Sequence, residues 1–171
     1  MDNTELKAGA QFPALGWPAV SGGRVSPAEG SGWRALIVYR GKHCPLCEKY
    51  LATLDELLDQ FTASGIAVSV LSADPLEKAQ AEAEQFGWKF PVGYDLSMDD
   101  MRELGLFISN PRSPQETDRP FAEPALFVVN PAGQTQIIDR SNAPFARPDL
   151  KSLLAGLQFV IEKNYPIRGT A

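Results

Sequence analysis

An α/β fold, with a mixed central β-sheet and helices on both of its faces, is predicted by three features of this chain. Short apolar runs rich in branched residues alternate with amphipathic stretches, which is how strands alternate with helices. The order reads β-α-β-α and then β-β-α, so the sheet should be mixed rather than all parallel. The only two cysteines, Cys44 and Cys47, stand where the first long apolar run gives way to the first amphipathic stretch. A length of 171 residues suits one domain spanning 1–171 with a core of ordinary size.

Residues 1–32 are rich in Gly, Pro, Ala and Ser and include Phe12-Pro13 and Trp17-Pro18, so they read as an irregular or short-stranded arm on the domain. Residues 34–39 form a continuous apolar run, the pattern of a buried central strand. After Cys47, the residues Tyr50, Leu51, Leu54, Leu57, Leu58 and Phe61 share one helical face, and Ser64-Gly65 ends that helix. Residues 66–71 are the next strand. Asp74-Pro75-Leu76-Glu77 reads as a helix start, with Asp74 as cap, Pro75 at the first helical position and Glu77 completing a capping box. That helix runs to about Phe86, and Gly87 stops it. Residues 92–95 suggest a short strand, 98–104 a short helix, and 109–120, with three prolines, a surface loop. Residues 125–129 are a buried strand, 130–133 a turn, and 134–139 the returning hairpin strand. Residues 148–163 form the last helix, striped by Leu150, Leu153, Leu154, Leu157, Val160 and Ile161. No repeat, low-complexity segment or linker interrupts the chain.

Composition excludes several classes. A net charge of −5 without any Lys/Arg cluster argues against nucleic-acid binding. No apolar run approaches the roughly 18 residues of a membrane span. Residues 1–10 are polar and acidic with no apolar signal core, so a cytoplasmic location is the default expectation. There, a cysteine pair is more often catalytic or metal-binding than a structural staple. Trp17, Trp33 and Trp88 read as packing residues, and Asp99, Asp100, Glu82 and Glu84 as solvated helix faces. No phosphate-binding glycine loop and no Ser-His-Asp spacing is present.

The chemistry lies in Cys44-Pro45-Leu46-Cys47. A strand, then C-x-x-C, then a helix is the thioredoxin-like arrangement, and it points to thiol–disulfide redox work. The thiolate is the reactive form, so its pKa sets its reactivity. Cys44 falls at the helix N-cap with Pro45 at the first helical position, where unpaired N–H groups and the helix dipole favour negative charge. Arg40, Lys42 and His43 add positive charge. Cys47 follows about one helical turn later, on the same side. Cys44 is therefore the expected nucleophile and Cys47 the resolving thiol. His43 is either a base toward Cys44 or a shield over its sulfur. A zinc site needs four ligands, and only His43, adjacent to Cys44, could join the two thiols. Haem attachment needs His after the second cysteine, where Glu48 stands. The dithiol carries the electrons itself, so no metal or organic cofactor is expected.

The run from Tyr39-Arg40-Gly41 through Cys44-Pro45-Leu46-Cys47 resembles the peroxiredoxin-like branch of the thioredoxin superfamily, the alkyl hydroperoxide reductase and thiol-specific antioxidant family. Ser72-Ala73-Asp74 after an apolar strand and the C-terminal Asn164-Tyr165-Pro166-Ile167-Arg168-Gly169 support it, and the resemblance covers roughly residues 30–169. It implies a thioredoxin-like fold and an antioxidant, thiol-dependent oxidoreductase that reduces peroxides. It also implies a cis-proline facing the dithiol, at Pro124, which would leave the Glu123 backbone free to pair with a substrate chain. The chain departs from the Pro-x-x-x-Thr-x-x-Cys motif of peroxiredoxins. Counting back from Cys44, Gly41 and Ile37 stand at the Thr and Pro places; counting back from Cys47, Cys44 and Arg40 stand there. Arg40 and Arg119 are then the candidate donors to a peroxide oxygen. Two other readings stay open: a thioredoxin-like reductase of protein or small disulfides, and a redox-sensing binding module. Either enzyme needs a thioredoxin- or glutathione-type reductant, and self-association as a homodimer is compatible with a free strand edge or the arm.

Overall fold

A computed structural model describes residues 5–171. In chain order the elements are β1 (Trp17–Pro18), β2 (Arg24–Val25), β3 (Trp33–Val38), α1 (Pro45–Ala63), β4 (Ile66–Leu71), α2 (Leu76–Phe86), β5 (Val92–Gly93), α3 (Met98–Glu103), β6 (Ile108–Ser109), β7 (Phe121–Ala122), β8 (Ala125–Val129), β9 (Thr135–Arg140) and α4 (Leu150–Lys163). The main sheet runs β5-β4-β3-β8-β9. The β3/β4 and β4/β5 pairs are parallel, and β3/β8 and β8/β9 are antiparallel, so the sheet is mixed.

Strand β3 holds the centre because all of its residues after Trp33 are buried, as a continuous apolar run requires. Its side chains alternate between two cores. Ala35 and Ile37, followed by Tyr39, pack on one face with Leu51, Leu54 and Phe61 of α1, Ala79 of α2 and Leu154 and Leu157 of α4. Leu36 and Val38 pack on the other face with Phe127, Met101 of α3, and Leu6, Phe12, Trp17 and Val25 of the N-terminal arm. Helices thus lie on both faces, and the arm covers the side that α1, α2 and α4 leave open. Within residues 1–32, β1 and β2 form a two-residue antiparallel pair.

Three helix boundaries follow the sequence reading. Helix α1 begins at Pro45 with Cys44 as its cap and ends at the Ser64 cap. Gly87 closes α2 in the left-handed conformation, φ 61°, which glycine adopts without a Cβ penalty. Helix α4 starts later than residue 148, at Leu150, because Asp149 accepts from Ser152 N and caps it. The start of α2 differs from expectation. Asp74 does not cap it, and Pro75 holds the cap position without a side-chain bond. Asp74 instead accepts the backbone N–H of Lys42, at 2.8 Å. The stretch read as a surface loop is a long excursion between β6 and β7, whose pairing ties both of its ends to the body.

Leu54 is fully buried between α1 and the sheet. Leu54→Ala should lower the unfolding free energy by about 2–5 kcal/mol, read from the denaturant midpoint at unchanged slope.

Candidate functional site

The sheet delivers the cysteines through its central strand. From the end of β3 the chain passes through Tyr39 to His43 and enters α1 at Cys44. Two contacts fix this passage. Gly41 has φ 133°, outside the usual range for L-residues, and a Cβ there would lie 2.7 Å from the Asp74 carboxyl. The same carboxyl takes the Lys42 N–H. Asp74 is thus spent on holding the loop, and burial pushes its pKa up while the Lys42 amide opposes that shift.

Cys44 caps α1 with its sulfur. Its backbone is extended (φ −110°, ψ 101°), and the Cys47 N–H donates to Cys44 Sγ at 3.3 Å. Both thiols are free. The Cys44 pKa is brought down to about 7, first by the hydrogen bond from the Cys47 thiol, then by the Cys47 amide and the charges of Arg40 and Arg147, against the effect of burial. Cys47 moves the opposite way, its proton held by the bond to Cys44 and by burial. Exposure agrees with this division: 3% of Cys44 reaches the surface and none of Cys47. One cysteine is a thiolate near neutral pH, and the other is a buried thiol one turn behind it.

The expected neighbours are sorted differently. Arg40 lies beside the pair but is committed: its guanidinium grips the buried Glu123 carboxylate with two bonds of 2.8 Å and lies over the Phe121 ring. Ser109 Oγ donates to the same carboxylate at 2.8 Å. Arg40 therefore acts on the sulfurs as a fixed charge. His43 packs edge-on against Phe121, with ring centroids 4.6 Å apart, and both ring nitrogens are buried without partners. Burial lowers its pKa, which favours the neutral ring, and neither ring nitrogen bonds either sulfur.

Two expectations are corrected. The Glu123–Pro124 bond is trans, since no cis peptide bond occurs among the described residues. Pro124 simply leads into β8, a position proline tolerates because its missing N–H is not needed there. The Glu123 N–H is not free for a substrate chain, for it donates at 2.8 Å to the carbonyl of Phe107, the residue before β6. Arg119 forms a partly exposed pair with its neighbour Asp118, at 3.1 Å.

A further arginine, Arg147, reaches the resolving cysteine. It lies in the loop before α4, with its guanidinium 4.2 Å above the Tyr50 ring and Nη1 3.6 Å from Cys47 Sγ. The Tyr50 hydroxyl donates to the Pro148 carbonyl at 2.6 Å and pins that loop to α1. Among the described residues no carboxylate pairs with Arg147, and its buried Nε lacks a partner. A lone arginine one hundred positions from the cysteine carries no sequence signal; only the Arg147-Pro148-Asp149 approach to a helix start marks its place. Glu82, read as a solvated residue, is buried at 1% exposure. No group of three or more His, Cys, Asp or Glu able to hold a metal occurs among the described residues. Among the same residues, no helix is long and apolar enough to cross a membrane.

Comparison with known proteins agrees with this fold. The AhpC/TSA family profile matches residues 8–138. A putative peroxiredoxin of Mycobacterium tuberculosis is 29% identical over 105 residues, 61% of this chain and 67% of that one. The thiol-disulfide oxidoreductase ResA of Bacillus thuringiensis is 25% identical over 95 residues, so the chain spans only 55% of that relative's length and 55% of its own. In three dimensions the fold matches a peroxiredoxin-like protein from Aquifex aeolicus (TM-score 0.76, 17% identity, 91% of this chain and 88% of that one). It also matches peroxidoxin BcpB from Mycobacterium tuberculosis (TM-score 0.73, 19% identity, 91% and 99%).

Because the Arg147 charge lies beside the sulfurs, Arg147→Ala should move the midpoint of iodoacetamide alkylation of Cys44 up by about one pH unit, from near 7, and Arg147→Lys by less.

Proposed function

Because the chain belongs to the AhpC/TSA family of thiol oxidoreductases, we propose that it is a thiol peroxidase in which Cys44 attacks the peroxide and Cys47 resolves the product. The observation that carries this reading is a thiolate at the N-terminus of α1, almost closed to solvent, between two arginines. A small oxidant can reach a sulfur with 3% exposure far more readily than a folded disulfide partner can.

The steps balance on these residues. The Cys44 thiolate takes the distal oxygen of the peroxide and becomes a sulfenic acid; the O–O bond breaks and the leaving oxygen departs as an alcohol or water after protonation. The Cys47 thiol then attacks Cys44, the S–S bond forms and water leaves. A dithiol or glutathione-type reductant returns two electrons. The place of the threonine used by peroxiredoxins is Gly41, which must stay without a side chain to clear Asp74. Donors to the peroxide oxygens therefore come from the amides at the start of α1 and from Arg147, which no carboxylate among the described residues holds.

A second reading, reduction of small or protein disulfides through a mixed disulfide at Cys44, draws on the dithiol itself and on the likeness to ResA. The trans bond at Pro124 and the engaged Glu123 amide count against docking a substrate chain there.

Rapid mixing of the reduced protein with hydrogen peroxide should give one disulfide, Cys44–Cys47, far faster than a free thiolate reacts. Cys44→Ser should abolish the reaction, and Cys47→Ser should stop at a sulfenic acid on Cys44 that a dimedone probe captures. A rate no better than a free thiolate would refute the peroxidase.

A further inference from the structure

On the face of β3 that the arm covers, Leu36 and Val38 follow a charged residue, Arg34. Arg34 is 7% exposed. Its Nε donates to the Pro27 carbonyl at 2.7 Å, and its Nη1 to the Gly32 carbonyl at 2.6 Å. Gly30, with φ 113°, lets the arm pass over this side chain, since a Cβ there would stand 3.3 Å from Arg34 Cδ. The two bonds tie the arm to the sheet, and a neutral donor could do that much. They leave Nη2 and the positive charge unused. Among the described residues no carboxylate forms an ion pair with Arg34, and Glu29, beside it in the arm, pairs with Arg24 at 3.6 Å. Burial lowers the Arg34 pKa. A cation taken out of water without a counter-charge is costly, so this place favours an anion.

There is room for one. Arg34 borders a cavity of about 310 Å³ between the arm and β4, near the lower end of the size range of ligand sites. In register, Ala67 pairs with Arg34 and Ser69 with Leu36, so these β4 residues share the face that carries the guanidinium. Ala67 is exposed, and the cavity is open there. Val25, Pro27 and Pro91 give it apolar walls. We propose that this cavity is a binding site for a small carboxylate with an apolar body, the carboxylate on Arg34 and the body between the arm and β4. The uncompensated charge selects an anion, the planar guanidinium suits a planar carboxylate, and the apolar walls select an organic body over a bare inorganic ion. The chain carries a net charge of −5, so its overall field does not gather anions and the attraction is local. Arg34 stands near the start of β3, whereas Cys44 follows its far end. The site is therefore separate from the dithiol and does not depend on what the dithiol reduces.

The probe is benzoate, titrated at constant ionic strength and followed by the backbone amide resonances of the protein. Gly30, Ser31, Ala67 and Ser69 should shift together and saturate, with a dissociation constant tighter than about 10 mM. Benzamide has the same body without the charge and should bind at least about tenfold more weakly, as should benzoate to Arg34→Gln. Ala67→Leu fills the cavity from an exposed position and leaves Arg34 in place; it should abolish the shifts. If Arg34→Gln does not fold, Ala67→Leu carries the test. Benzamide binding as well as benzoate overturns the proposal, and so do shifts that survive in a folded Arg34→Gln or in Ala67→Leu. No saturable shift at these residues overturns it as well. Inorganic phosphate competing as tightly as benzoate would overturn the assignment to an organic carboxylate.

Discussion

The backbone amide of Cys47 donates to the sulfur of Cys44, and the site follows from that bond. Capping a helix with a sulfur gives the sulfur the role that a serine or aspartate oxygen usually fills. The cap is best satisfied by a negative acceptor, so the helix end and the thiolate stabilise each other. Pro45 at the first helical position lacks the N–H that would compete, and it fixes the turn that brings Cys47 back over Cys44. One local motif therefore sets both the low pKa of one thiol and the position of the other.

The motif would be loose without the layers behind it. Strand β3 is paired on both edges, so its C-terminal end is the most firmly held point from which a loop could be hung. Asp74, at the end of the neighbouring strand, reaches across to the Lys42 amide and leaves room only for glycine at position 41. On the opposite side Glu123, from the segment entering β8, holds Arg40. Tyr50 and Arg147 clamp the loop before α4 to the first turns of α1. Four segments distant in sequence thus converge on one helix terminus. This convergence explains why the site lies at the carboxyl end of the central strands, where loops from parallel neighbours meet.

Much of this was legible in the sequence, for stated reasons. The continuous apolar run ending at Tyr39 and the heptad-like face from Leu51 to Phe61 both record burial, and burial leaves a periodic trace. The C-x-x-C spacing carries its own chemistry. What was not legible depends on pairing across the chain. Asp74 followed by proline looks like a helix cap, yet a bond to Lys42 takes it elsewhere. Glu82 sits in a helix of polar residues, and nothing in Gln80-Ala81-Glu82-Ala83-Glu84 distinguishes it from the exposed Glu84. Arg147 is plain in sequence, and only the α4 loop brings it to the sulfur of Cys47. The trans bond at Pro124 likewise reflects an ordinary strand entry that proline at that place does not reveal.

The most direct measurement of the central claim is a competition. Reduced protein is mixed with hydrogen peroxide and oxidised glutathione at equal concentration, and the first products on Cys44 are resolved by mass spectrometry. The Cys44–Cys47 disulfide should appear without a preceding glutathione adduct, because the capped, nearly closed thiolate meets the small oxidant first. Prompt accumulation of glutathione on Cys44, with peroxide left unconsumed, would contradict the peroxidase and show a site built for disulfide exchange.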